Sequence, residues 1–372
     1  MSGAFSVGFA QDSDWSEAFA AALADAWPLP EGANLGFVFA TDYFAPHFAE
    51  IVARLQAETG IAAWSGTVGL GVATPEGEIF DRPALVILAG RFPQDSFRTF
   101  GPIAAEPEAF TAENGLWLAE RAGTVALLQA DPRTPDLAAL LADFAVAAKA
   151  FTLGGLTASR REGAAVPGDG RTAGLSGVLF GPEVPVVSGL SQGCTPLGPA
   201  QQITQANRNV IVSIDGKPAL QALIDLVDRH FEGRLAEALP LIHPAFPLPG
   251  RDRDDYLVRN LVGIDGQKGL VAVSEMVEPG QPILFCRRDP VAARQDLVRM
   301  LADVARRADG KAKAGVYVSC VARGPNLFGP DGAEGKLLRE ALGDIPLVGF
   351  YAGGEISGER LYGYTGVLTL FC

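Results

Sequence analysis

GVYVSCVARG, residues 315–324, is an apolar run that meets a cysteine and then an arginine held between breaks. Short runs rich in valine and aromatic residues, bounded by glycine, read as buried strands. Two earlier runs share its character, GFVFATD (36–42) and VALLQAD (125–131). A helical pattern follows each: Phe48, Ile51, Val52 and Leu55; Leu137, Leu140, Leu141 and Phe144; Leu337, Leu338 and Ala341. A glycine-marked run comes next, WSGTVGLG (64–71), FTLGGLTASR (151–160) and VGFYAGGEI (348–356), then a turn and a last strand at 84–90, 174–181 and 366–372. From the first strand's end to the glycine mark the distances are 26, 25 and 34 residues (Ala40 to Gly66, Ala130 to Gly155, Cys320 to Gly354). One strand-helix-strand-hairpin-strand unit is used three times, which predicts an α/β fold, or α+β with mixed sheets. The three quoted strands are expected at equivalent sheet positions.

A chain of 372 residues exceeds one ordinary core, so two domains are expected. The turn-rich stretch from Pro182 to Gln201 is the natural boundary, giving domains 1–190 and 191–372. A net charge of −13 opposes phosphate binding and argues against nucleic acid. No 18-residue run is free of charges and turn residues, and MSGAFSVGFAQDSDWSEAF lacks a basic start followed by a long apolar core. The expectation is a cytoplasmic protein with no membrane span. Cys194, Cys286, Cys320 and Cys372 form no C-x-x-C pair, so neither a zinc knuckle nor a disulfide framework is expected.

Four stretches in order, SQGCTPLGPAQQITQANRNVIVSIDGKPAL (191–220), YLVRNLVGID (256–265), SCVARGPNLFGP (319–330) and LVGFYAGGEISGERLYGYTGVLTLF (347–371), resemble the FIST family (F-box and intracellular signal transduction), with an N-terminal and a C-terminal FIST domain. The resemblance implies a bacterial stand-alone sensory module. It implies a small ligand, amino acids having been proposed, and for some members haem-bound nitric-oxide sensing that acts on a histidine kinase. The chain shows no kinase or helix-turn-helix motif, so a sensor's output would pass to a separate partner.

A strand that ends in a polar residue at a glycine break places it at the sheet edge where α/β folds bind ligands. Cys320, Arg323, Gly354 and Glu355 are therefore expected to line one cleft, between the domains, with guanidinium for a ligand carboxylate and Glu355 for an ammonium. Ser65 and Thr67 flank a glycine that admits close backbone approach, and Cys194 sits in the turn of SQGCTPLG. The structural alternative is an Arg323–Glu355 ion pair that closes the third copy, with buried thiols. If haem binds, His243, with Arg251 and Arg253 nearby, is the first axial candidate and His47 the second. A cysteine-dependent enzyme using Cys320 or Cys194 and a ligand-free adaptor are the remaining alternatives. Only His47, His230 and His243 are available as bases, none in a nucleophile context, which argues against catalysis.

Overall fold

The computed structural model describes residues 3–160, 173–248, 255–330 and 332–372. The second copy's Gly/Asp-rich turn (161–172) and Arg251 and Arg253 lie outside the described residues. The chain divides into two compact units, 1–192 with 294–372, and 193–293.

The first copy runs β1 (Phe5–Ala10), α1 (Trp15–Ala26), β2 (Leu35–Thr41), α2 (Phe48–Thr59), β3 (Ala63–Gly69), the hairpin β4 (Gly71–Thr74) and β5 (Gly77–Phe80), and β6 (Leu85–Gly90). The second runs β7 (Phe97–Ile103), α3 (Glu108–Ala119), β8 (Thr124–Ala130), α4 (Leu137–Ala147), β9 (Ala150–Leu156) and β10 (Leu175–Phe180). The third opens with β11 (Val186–Ser191), after which the chain leaves for the smaller unit.

That unit contains β12 (Cys194–Pro196), β13 (Gln201–Asn207), β14 (Val210–Ile214), β15 (Lys217–Pro218), α5 (Ala219–Phe231), α6 (Leu235–Ala238), β16 (Ile242–Pro247), β17 (Tyr256–Val258), β18 (Leu261–Asp265), β19 (Leu270–Val273) and β20 (Pro282–Arg288). Its sheet runs β17-β16-β20-β13-β14-β19-β18, with β12 on β20 and β15 on β14. Leu220, Leu223 and Val227 on one stripe of α5 pack with Ile203, Ile211 and Val271, as the i, i+3, i+7 spacing requires.

The third copy then resumes with α7 (Pro290–Ala308), β21 (Ala314–Cys320), α8 (Pro325–Phe328), α9 (Ala333–Leu342), β22 (Leu347–Ala352), the hairpin β23 (Glu355–Ser357) and β24 (Arg360–Tyr362), and β25 (Gly366–Phe371). Each copy thus has a leading strand and helix ahead of the repeated unit. The smaller unit interrupts the third copy between its leading strand and first helix, where the other two have short loops.

The sheets repeat as β1-β6-β2-β3, β7-β10-β8-β9 and β11-β25-β21-β22. In each, the quoted strand is antiparallel to the last strand and parallel to the one after its helix. The three strands occupy one equivalent position. The hairpins are exchanged: β4 pairs with β22 of the third copy, and β23 pairs with β9 of the second. The glycine that recurs structurally is Gly66, Gly154 and Gly349, where a Cβ would lie 1.7, 1.9 and 1.7 Å from the carbonyl oxygens of Val38, Leu128 and Tyr317. Gly354 lies beyond this position, so it is Gly349 that corresponds to Gly66.

One face of all three sheets forms a common core containing Phe37, Phe39, Leu127, Leu153, Val316, Val318, Phe350 and Phe371. Phe39 stacks on Phe350 at 5.1 Å and Phe37 on Phe371 at 5.7 Å. Each such buried ring contributes roughly 1.5–3 kcal/mol. The other face of each sheet is covered by its own copy's helices, in three separate clusters.

Candidate functional site

Strand alternation gives β21 two sets of side chains. Val316 and Val318 enter the common core, whereas Tyr317 turns to the helical side with Leu338 of α9. After Cys320 the chain turns back through an Arg323 N–H to Cys320 carbonyl bond of 2.8 Å, and the guanidinium returns under the sheet. Arg323 has no exposure at all.

Its partner is Glu334, in the first turn of α9, where the helix dipole favours a carboxylate. Arg323 Nε donates to Glu334 Oε1 at 2.8 Å, and both side chains are fully buried. Glu334 also accepts from Tyr317 Oη at 2.7 Å, Ser319 Oγ at 3.1 Å, the Gly324 N–H at 2.9 Å and Tyr351 Oη at 3.4 Å. The remaining guanidinium nitrogens reach the Ser191 carbonyl at 3.4 Å and its hydroxyl at 3.5 Å, and the plane lies 5.0 Å from the Phe328 ring. Burial works against the charge on Arg323, and Glu334 outweighs it, so the guanidinium stays charged. Arg323 is thus sealed behind Glu334 rather than presented to a ligand.

Glu355 of β23 is the neighbouring carboxyl. Its Oε2 accepts from Thr365 Oγ1 at 2.7 Å and the Thr365 N–H at 3.1 Å. Its Oε1 is buried and no N–H or O–H donor reaches it, the Cys320 thiol being the further group that interacts with this carboxyl. Burial pushes this carboxyl up to about 8, against the lowering effects of Thr365, Arg323 and Cys320. Burial, followed by the Glu355 charge, pushes the Cys320 thiol well up, so it stays protonated and is a poor nucleophile. Gly354 is buried beside Leu156, and the chain surfaces at Gly353. Cys320, Arg323, Gly354 and Glu355 therefore do come together, but the ion pair anticipated between Arg323 and Glu355 is made instead between Arg323 and Glu334.

The other sequence candidates lie elsewhere. Ser65 donates to Gln129 Oε1 at 2.9 Å and Thr67 bonds Thr157 at 2.6 Å, so both link the first copy to the second. Cys194 belongs to the smaller unit as a free thiol near that of Cys286, which donates to the His243 carbonyl at 3.4 Å, and the Cys194 carbonyl accepts from Tyr256 Oη at 2.7 Å. His243, on β16 opposite Cys286, is pushed down to about 4 by burial and then by the Arg288 charge, and is neutral. His47 ends a 3-10 turn at the surface, stacked on Trp15 at 5.2 Å and bonded to Glu50 at 3.2 Å.

A groove of about 400 Å³ runs between the first copy's hairpin and α9, lined by Thr74, Glu78, Leu338, Arg339, Leu342 and Tyr351. Open depressions of about 1320 and 940 Å³ lie around Arg91 and Lys313, and around Lys217 and Asp225. None of the three is bordered by His243 or His47. Haem needs an axial imidazole facing a wide apolar slot. None of these three cavities supplies such a slot at either histidine.

Sequence reasoning missed Glu334, Tyr317, Tyr351 and Glu78. Glu334 reads locally as an ordinary solvated residue at a helix start, and only tertiary pairing marks it.

The model of the FIST N domain matches residues 34–217 and that of the FIST C domain residues 219–358. The chain belongs to the FIST family. The two FIST models meet within the smaller unit, just before α5. FIST domains are associated with signal-transduction sensing. This FIST protein is similar to an uncharacterized protein of Mycobacterium tuberculosis, 29% identical over 342 residues, 87% of each chain. It is also similar to an uncharacterized protein of Mycobacterium bovis, 31% identical over 214 residues, 54% of each. Among the described residues no helix is long and apolar enough to cross a membrane.

Proposed function

We propose that this FIST protein is a sensor of a small amine-bearing ligand, an amino acid or a close analogue, received at Glu355 and reported to a separate partner protein. The observation that carries the reading is the Glu355 Oε1 atom, fully buried beside the charged Arg323 and reached by no N–H or O–H donor, with only the weak Cys320 thiol near the carboxyl. A native fold rarely leaves such an atom unpaired without a reason. A ligand ammonium entering past Gly353 replaces the proton that burial keeps on Glu355. That adds a negative charge next to Arg323, which already divides its donors between Glu334 and Ser191. Ser191 ends β11, immediately before the chain leaves for the smaller unit. Ligand charge is thereby felt at the segment that joins the two units, which is the differential interaction a two-state switch requires.

Isothermal titration with the common amino acids tests this. At least one binds saturably, and Glu355→Gln weakens it tenfold or more while the far-UV spectrum is unchanged. A folded Gln variant that binds as the wild type does would overturn the reading.

A further inference from the structure

The buried guanidinium of Arg323 is held unevenly. Nε donates to Glu334 Oε1 at 2.8 Å, but Nη1 reaches the Ser191 carbonyl only at 3.4 Å, and Nη2 reaches the Ser191 and Tyr317 hydroxyls at 3.5 Å each. A guanidinium carries five N–H donors, and its bonds to an ionised acceptor run at about 2.7–2.9 Å. Both Nη atoms are therefore at the outer limit of hydrogen bonding, in an interior where a weakly paired cation is costly. The group is anchored at Nε and loose at Nη.

A better acceptor is close by. Gly366 borders Nη2, where a Cβ would stand 3.3 Å from it. The residue before it, Thr365, holds the Glu355 carboxyl through its N–H and its hydroxyl. Glu355 Oε1 is buried with no N–H or O–H donor on it. The other groups around this carboxyl leave that oxygen open: Cys320 at the end of β21 is a weak donor, Tyr362 pairs opposite it on β24, and β9 presents Gly155, which has no side chain. Glu334 and Tyr317 are engaged with Arg323 and with each other. While Glu355 keeps its proton it offers the guanidinium little, and once ionised it attracts the cation through a low-dielectric interior.

We propose that the Arg323 guanidinium is a two-position switch set by the Glu355 proton: with Glu355 neutral, Nη1 and Nη2 stay on Ser191, and with Glu355 ionised they swing to its open oxygen while Nε keeps Glu334. Gly366, with no Cβ, leaves room for that swing. Ser191 is the last residue of β11, paired with Gly366, and the chain leaves the larger unit after Gln192. Losing the guanidinium frees the Ser191 carbonyl, so the exit segment loosens as pH rises. Burial of Glu355 places the change near pH 8. The device rests on the carboxyl proposed above as the ligand site but requires no ligand, so alkaline pH is an input in its own right.

Hydrogen–deuterium exchange of the ligand-free full chain, followed by mass spectrometry on peptides spanning Ser191 between pH 6.5 and pH 9.5, tests this. Glu355→Gln is the permanently uncharged reference at each pH, so the intrinsic pH dependence of exchange cancels. The two proteins are expected to exchange alike at pH 6.5, and the wild type at least threefold faster at pH 9.5. Thr365→Val keeps the side chain's shape but removes the hydroxyl that favours the ionised carboxyl, so it is expected to move the midpoint to higher pH. A merely structural Thr365 would change the rates without moving the midpoint. Equal exchange of wild type and Glu355→Gln across the range overturns the switch, as does a Thr365→Val midpoint at or below that of the wild type. Should Glu355→Gln not fold, the comparison of Thr365→Val with the wild type decides alone. With no ligand present, the outcome is independent of the amino-acid titration.

Discussion

Glu334→Gln isolates the buried ion pair with little change of shape. Glu334 faces a guanidinium 2.8 Å away, and neither side chain has any exposure. Four further donors converge on its two oxygens, from Tyr317, Ser319, Gly324 and Tyr351. The amide keeps one acceptor oxygen, turns the other into a donor facing those donors, and leaves Arg323 charged without a counter-ion. Breaking a buried pair from one side costs about 3–5 kcal/mol, against a total stability of about 5–15 kcal/mol. Urea unfolding followed by fluorescence reads the loss, and the two compact units call for a fit that allows two transitions. Only the transition of the larger unit is expected to move. The paired replacement Arg323→Met with Glu334→Gln removes both charges while keeping an acceptor oxygen for the converging donors, and is expected to recover part of the loss. A Glu334→Gln penalty below about 1 kcal/mol, or a double variant no better than the single one, would refute the claim that the pair is electrostatically sealed.

The pH dependence has a definite sign at Glu355. Its folded pKa of about 8 lies above the ordinary value of 4.5, so the folded state holds the extra proton between those limits. Its contribution is fully present below about 4.5 and is lost as pH rises toward 8 and beyond, because stability falls where the native state binds more protons. Glu355→Gln should therefore gain on the wild type progressively from pH 5 to pH 8.5 in chemical denaturation, and a pH-independent difference would contradict the burial argument. A second expectation concerns the interruption of the third copy. Replacing residues 193–288 by a short polar turn, with Asp289 kept because its Oδ1 caps the Val291 and Ala292 N–H groups of α7, should leave a cooperatively folding unit. Loss of cooperative melting would show that the larger unit needs the insertion.

Much of the fold is legible because its evidence is local. Strand composition, helical spacing and order recur at short range, and Phe37, Leu127 and Val316 fall at the same place in each pattern. The return crossing at Ala293 left no such signal. It falls inside α7, whose helical pattern runs without a break from Pro290 to Ala308. The exchange of hairpins is equally hidden, since a β4 pairing with β22 joins residues far apart in sequence. The strand-end rule found Cys320, Arg323 and Glu355 but not the carboxylate that Arg323 prefers. Glu334 and Glu355 both follow Arg323, and no local pattern distinguishes a carboxylate that turns inward at a helix start from one that turns inward on a hairpin.

The three copies also provide an internal comparison that separates stability from function. After its central strand the first copy pairs Asp42 with Arg160, and the second pairs Asp131 with Arg133. In both, the carboxylate is buried while the arginine side chain keeps 47% and 57% of its exposure. The third copy places both partners at 0%. The carboxylate after this strand therefore does not require a sealed partner, since the fold holds it twice with the cation in solvent, Asp42 against the second copy's Arg160 and Asp131 within its own copy. Full burial adds a desolvation cost of several kcal/mol per ion, which the attraction repays only with complete hydrogen bonding. Glu334 has that complement, but Glu355 and Glu78 on either side of the pair do not, each with one oxygen left over. A purely structural solution would have satisfied or removed those two carboxyls. Their presence beside a pair cut off from water sets this part of the larger unit apart from the other two strand ends, and it supports the proposed ligand site.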